Sequence, residues 1–207
     1  DYTYDVERFQ KIFHKMKQCG CHFVVASGNQ YYQLRDLFSG YYDELSFVAE
    51  NGAFVKDQRQ LVFTADIPRE TVDLVIDVCR EYPEISNVVC GLNSAYCERG
   101  SVDQDFFDLT NIYYHRLQWV DDFKEIKDQI LKFAPTVPIE KTYDYYDIFR
   151  ERLAGKIDPT TSGHGSIDLI FPGCHKAQGL ERLVKRWGIS PDQCCLLYTS
   201  PSPRDLS

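Results

Sequence analysis

Between Val6 and Gln18 the apolar residues fall at Phe9, Ile12, Phe13 and Met16, a helical stripe closed by Gly20. The next apolar residues, Phe23-Val24-Val25-Ala26, are consecutive and few, which predicts a buried strand. Helical spacing returns from Gln30 to Phe38 through Tyr31, Leu34, Leu37 and Phe38. Leu45 to Glu50 then reads as a second strand closed by Asn51-Gly52, and Ala53–Val55 with Leu61–Phe63 as a hairpin. Helices alternating with apolar strands predict an α/β fold, a parallel sheet covered on both faces.

From Pro68 the pattern becomes a self-contained α+β unit. A helix is predicted over Arg69–Glu81, with Val72, Val75, Ile76, Val78 and Cys79 inward, and strands over Val88–Cys90 and Ala95–Cys97. Asp103 to Phe123 is acidic and aromatic, with no element assigned. A strand at Gln129–Phe133, a helix at Thr142–Leu153 and alternating segments near Lys156–Thr161 and Ser166–Phe171 follow. Two β–α–β halves placed after a hairpin suggest an inserted domain of roughly 100 residues. The chain then reaches Lys176, which opens a helix with Leu180, Leu183, Val184 and Trp187 on one face.

Composition limits what these elements do. The 207 residues are 43% hydrophobic and 26% charged, the balance of a globular chain with one good core or two small ones. A net charge of −8 argues against a general nucleic-acid or acidic-membrane binder but allows a small anion held by local donors. No stretch approaches the ~20 apolar residues of a membrane span, and the start lacks a signal-peptide pattern, so a cytoplasmic location is expected. The eight cysteines are scattered, mostly in apolar stretches and without a Cys-x-x-Cys pair, and read as buried free thiols. Cys19-Gly20-Cys21 lacks a matching second pair for a metal and reads as turn and strand positions.

Two places offer chemistry. Ser27-Gly28-Asn29 lies where a strand's carboxyl end meets a helix's amino end, a junction suited to an anion through free N–H groups; Ser27 as a plain turn or N-cap residue is the alternative. Lys176 at a helix start opposes the helix dipole, which a bound phosphate would offset; a solvated surface lysine is the alternative. Asp168, alternating with apolar neighbours, reads as a polar-face residue, and Asp1 and Asp5 as capping residues.

In order, Phe23 to Leu34, Phe47 to Gly52 and Gly165 to Ile170 resemble the haloacid dehalogenase superfamily, specifically its Cof-like type IIB sugar phosphatases. Gly91 to Tyr96 and Tyr113 to Leu117 add weaker support, and the resemblance covers about residues 3–193. It implies a Rossmann-like core with an inserted α+β cap: core over 1–66, cap over 67–162 and core again over 163–194. It also implies a Mg²⁺-dependent phosphatase acting on sugar phosphates or similar metabolites through an aspartyl phosphate. Ser27 would bond the transferring phosphoryl group, helped by the Gly28 amide, and Lys176 would be its cation. Asn29 and Gln30 would contact phosphate, Asn51 and Gly52 would border the site, and Asn93, Ser94 and His115 would meet the sugar from the cap. A phosphosugar mutase and a non-catalytic phosphate-binding module share this scaffold.

The chain departs from that pattern at both ends. It carries no Asp-x-Asp-Gly-Thr motif, which supplies the family's nucleophile and acid, and no acidic loop Gly-Asp-x-x-Asn-Asp after the strand expected near Gln193, so its Mg²⁺ ligands are missing. Residues 195–207 resemble an in-frame translation of a sequencing adaptor, so the natural sequence is expected to stop near Cys194. A truncated reading frame without activity is the expectation, with the cap, Pro68 to Thr161, as the more independent folding unit.

Overall fold

A computed structural model describes residues 4–197 as two sheets, each with its own helices. The first runs in the order β1 (Val24–Ala26), β2 (Ser46–Ala49), β3 (Phe54–Asp57), β4 (Gln60–Thr64). Only β1 and β2 are parallel; β2, β3 and β4 form antiparallel ladders, the last two being the expected hairpin. Alternation along β2 divides the core. Phe47 packs with Phe13 of α1 (Val6–Gln18) and with Tyr31 and Leu34 of α2 (Tyr31–Leu37), while Val48 packs with Val55 and with Leu183 of α6 (Lys176–Trp187). Both faces are therefore covered, and Phe47 and Val48 are completely buried.

The second sheet has the order β7 (Leu117–Val120), β6 (Ala95–Glu98), β5 (Val89–Gly91), β8 (Ile130–Phe133), β10 (Ser166–Ile170), β9 (Asp158–Gly163). It is antiparallel except for β6 and β7. Its main apolar layer joins Val72, Val75 and Ile76 of α3 (Arg69–Arg80) to Tyr145 and Phe149 of α5 (Thr142–Arg152), over Val89, Phe133, Ile167 and Leu169. No helix among the described residues is long and apolar enough to cross a membrane.

Several expectations change. Strand β1 is only half-buried, and Ala26 is exposed, because the strand pairs with β2 alone and forms the edge of its sheet. On α1, Ile12 is 47% exposed, since the helix lies on the sheet through Phe9 and Phe13 alone. The unassigned Asp103–Phe123 stretch holds α4 (Gln104–Asn111), capped by the Asp103 carboxylate, and strand β7. The strand expected near Gln193 does not form among the described residues: Pro191–Gln193 is a short 3₁₀ turn held by Ser190, and residues 194–197 join no ladder. Strand β10, placed with the carboxyl-terminal core by sequence, hydrogen-bonds between β8 and β9, so the chain returns to the first sheet only beyond Ile170. The proposed adaptor-like tail falls mostly on 198–207, outside the described residues, as does Asp1.

Candidate active site

At the carboxyl end of β1 the chain turns through Ser27, Gly28 and Asn29 before α2, whose N-cap position is Gln30. Ser27 is thus not the helix cap. Its Oγ accepts the Asn29 N–H at 3.2 Å, which leaves the hydroxyl proton free to donate outward. All three carbonyls of the turn are drawn inward. Ser27 O accepts from Asn51 N at 3.3 Å, Asn29 O from Glu50 N at 3.1 Å, and Gly28 O from Lys132 Nζ at 2.8 Å. The Gly28 amide takes no acceptor among the described residues.

The second wall is Glu50-Asn51-Gly52, which follows β2. All three residues have positive φ, at 48°, 56° and 99°. Two of them are not glycine, so the turn is strained and must be held by its surroundings. Asn51 supplies part of the hold: Nδ2 donates to Asp168 at 2.8 Å, and Oδ1 lies 2.6 Å from where a Cβ on Gly28 would stand. Gly52 has no side chain because a Cβ there would overlap the His175 carbonyl oxygen and lie 2.7 Å from its carbon.

The third wall is the start of α6. His175 caps it, with Nδ1 accepting the Gln178 N–H at 3.2 Å, and exposed Lys176 is its first residue. Gly179 lets this turn approach the sheet, since a Cβ there would lie 2.5 Å from Val48 Cγ1. The Asn51-Gly52 turn therefore touches Gly28 on one side and His175, the residue before Lys176, on the other.

The other expected site residues are engaged elsewhere. Buried Gln30 turns its amide to the Arg116 backbone, with Nε2 donating to O and Oε1 accepting from N, both at 2.9 Å. Its side chain is thus a clasp between the segment before α2 and the segment before β7. Asn29 Nδ2 donates to Gln33 Oε1 at 2.6 Å. Asn93 bonds Asp128 through its backbone N–H and Nδ2, both at 2.8 Å, and Ser94 Oγ bonds Arg116 O at 3.2 Å. His115 Nδ1 lies 2.9 Å from Asp36 on α2. Burial alone would raise the Asp36 pKa, but hydrogen bonds from His115 and Arg35 outweigh it and hold the carboxyl below its ordinary value.

Sequence reasoning missed Lys132, Glu50 and the partners of Asp168. The Lys132 ammonium, 2% exposed, reaches from β8 to Gly28 O, to Asp168 Oδ1 at 3.0 Å and to Glu50 Oε2 at 3.3 Å. Burial opposes its charge, yet Asp168, Tyr114 and Glu50 around it prevail and hold its pKa well above the ordinary lysine value. Burial likewise pushes the Glu50 carboxyl up. The available signal was one lysine inside the apolar strand Ile130-Leu131-Lys132-Phe133, a position that requires a buried partner. Because Lys132 engages both carboxylates, and no group of three or more His, Cys, Asp or Glu that could hold a metal occurs among the described residues, these residues do not by themselves fit a Mg²⁺ site.

Residues 2–197 match the family model of haloacid dehalogenase-like hydrolases. The chain is 38% identical over 191 residues to the 5-amino-6-(5-phospho-D-ribitylamino)uracil phosphatase YbjI of Escherichia coli K12, covering 92% of this chain and 70% of that one. Among solved structures, SMU.1108c from Streptococcus mutans UA159 superposes with a TM-score of 0.85 at 29% identity, over 91% of this chain and 71% of that one. The fold is also that of the subclass IIB sugar phosphatase BT4131, with a TM-score of 0.68 at 14% identity over 87% and 68% of the two chains. With the Ser27–Gly28 turn and the Lys176 helix start meeting at Asn51-Gly52, the chain belongs to the haloacid dehalogenase-like hydrolases and is that of a phosphatase.

Proposed function

We propose that Ser27, Gly28 and Lys176 hold the phosphoryl group of a small sugar phosphate or similar phosphorylated metabolite during monoester hydrolysis. The observation that carries this reading is the Asn51-Gly52 turn, which touches both Gly28 and the residue before Lys176. Ser27 Oγ donates its free proton to one phosphoryl oxygen, the Gly28 N–H donates to another, and the Lys176 ammonium neutralises the charge they share. Preorganised donors of this kind contribute most of the catalysis in phosphoryl transfer. The E. coli relative is named for a substrate whose phosphate ends a ribityl chain. A phosphorylated polyol or sugar is accordingly the substrate class proposed here, with His115 Nε2 and Asn93 Oδ1 facing its hydroxyls.

Family phosphatases generally use Mg²⁺. The aspartate that forms the phosphoenzyme and the acidic loop that binds Mg²⁺ belong to motifs this 207-residue sequence does not contain. The metal would stabilise the phosphoryl charge alongside Lys176. The 207-residue polypeptide is therefore proposed to be inactive, and a longer chain with both motifs active. Phosphate release from a sugar-phosphate panel that includes 5-amino-6-(5-phospho-D-ribitylamino)uracil tests this. Release by the longer chain with none from the 207-residue chain supports the proposal, and comparable turnover by both refutes it.

A further inference from the structure

The buried ammonium of Lys132 has no place in the phosphate contacts just described, yet it touches the turn that makes them. It comes from the six-stranded sheet and ends in the loops of the four-stranded one. Its three partners belong to three segments: it donates to Gly28 of the phosphate turn and to Asp168 of β10, and forms an ion pair with Glu50 of the strained turn. Asp168 passes the restraint on, since its other oxygen accepts from Asn51, whose side chain packs on Gly28. The contacts form a closed ring, from Lys132 to Asp168 to Asn51 to Gly28 and back to Lys132.

We propose that Lys132 is a positioning residue that holds the Gly28–Asn29 peptide, and with it the Asn29 N–H that supports Ser27 Oγ, and ties that turn to the six-stranded cap sheet. Three features support it. A carbonyl that accepts a hydrogen bond from a buried ammonium cannot rotate outward without leaving one of that ammonium's N–H groups without an acceptor, which is costly in a dry site. Rotation of the Gly28 carbonyl would turn over the Gly28–Asn29 peptide plane, taking the Asn29 N–H away from Ser27 Oγ and turning a repelling oxygen toward the phosphate. The consecutive positive φ angles at Glu50 and Asn51 also need an outside hold, and Glu50 has only Lys132 as an ionic partner among the described residues. Lys132 touches no substrate in this arrangement. Because β8 and β10 are neighbours in the cap sheet, a shift of that sheet reaches Gly28 through the same ammonium.

This inference rests on the phosphate reading of Ser27 and Gly28, and its test separates the two. The 207-residue chain, its Lys132→Arg and Lys132→Met variants, and the double variant Lys132→Met/Glu50→Gln are compared by amide hydrogen exchange and by titration with inorganic phosphate. The double variant removes both charges together and serves if the single methionine variant does not fold. Exchange should rise at least about tenfold in peptides spanning Val24–Gln33 and Ser46–Phe54 in the methionine variants, with α3 unchanged, and phosphate affinity should fall by about the same factor, equivalent to about 1.4 kcal/mol. Lys132→Arg, which keeps the charge, should recover part of both. Unchanged exchange at Ser27–Asn29 in the folded methionine variants, or equal losses in the arginine and methionine variants, overturns the positioning role. If the parent chain binds no phosphate while exchange responds as expected, the latch stands and the phosphate reading fails.

Discussion

Replacement of Gly52 by alanine isolates the contact that joins the two halves of the site. Two costs add at this position. A non-glycine residue at φ +99° costs about 1–2 kcal/mol, the penalty for left-handed backbone. The new Cβ also meets backbone at His175, with the carbonyl carbon at 2.7 Å, so no flexible side chain can move aside. Overpacking of that kind costs about 1–3 kcal/mol more. The total, about 2–5 kcal/mol, is a large part of the roughly 5–15 kcal/mol that stabilises an ordinary domain. Gly188→Ala is the matched control: it ends α6 at φ +67° with nothing within 4 Å of a Cβ, so it bears only the backbone cost of about 1–2 kcal/mol. In urea unfolding followed by circular dichroism, a slope near 2 kcal/mol/M should lower the Gly52→Ala midpoint by roughly 0.5–1.5 M beyond that of Gly188→Ala. Equal midpoints for the two variants would show that Gly52 does not hold α6 against the strained turn.

Other outcomes follow from single residues. In a longer chain carrying the acidic motifs, Lys176→Gln and Ser27→Ala should each lower kcat by about 10²–10³-fold with the fold intact by circular dichroism. Phe47→Ala, at a completely buried position, should cost about 3–5 kcal/mol in the same urea assay. Burial would raise the Asp57 pKa, but hydrogen bonds from Arg186 at 2.8 Å, Ser46 at 2.9 Å and Trp187 at 3.1 Å prevail and lower it. Its stabilisation is therefore present above about pH 4, where the unfolded carboxyl ionises, and fades as pH falls through the lower folded value; Asp57→Asn should flatten the acid limb of a stability profile. Burial pushes the Cys79 and Cys97 thiols up to about 12, so iodoacetamide at neutral pH should label exposed Cys19, Cys21, Cys194 and Cys195 and spare those two until urea is added.

What was legible in the sequence was local. Helices with a wide apolar stripe, α3 and α6, fall within a residue of their expected limits, because burial of one face both fixes the helix and marks it in the sequence. Helix α4 escaped because only Thr110 on it is buried, and its neighbour β7 because half-exposed Leu117 and Val120 carry little apolar signal. The burial expected of β1 depended on strand order, which no short window contains. The same division runs through the site. Ser27 and Lys176 stand at element boundaries that their neighbours mark in the sequence, whereas Lys132 meets Gly28 across 104 positions of sequence. The bond of Gln30 to Arg116 was hidden for the corresponding reason, since that partner lies 86 positions away.

The central claim is that Ser27, Gly28 and Lys176 form one phosphate-holding corner. Amide resonances of the isotopically labelled chain, followed during titration with inorganic phosphate, test it most directly. The account predicts that Gly28, Asn29 and Lys176 shift together with one saturation curve, and that Lys176→Gln weakens that curve. Shifts confined to other parts of the fold, or an identical curve for Lys176→Gln, would contradict it.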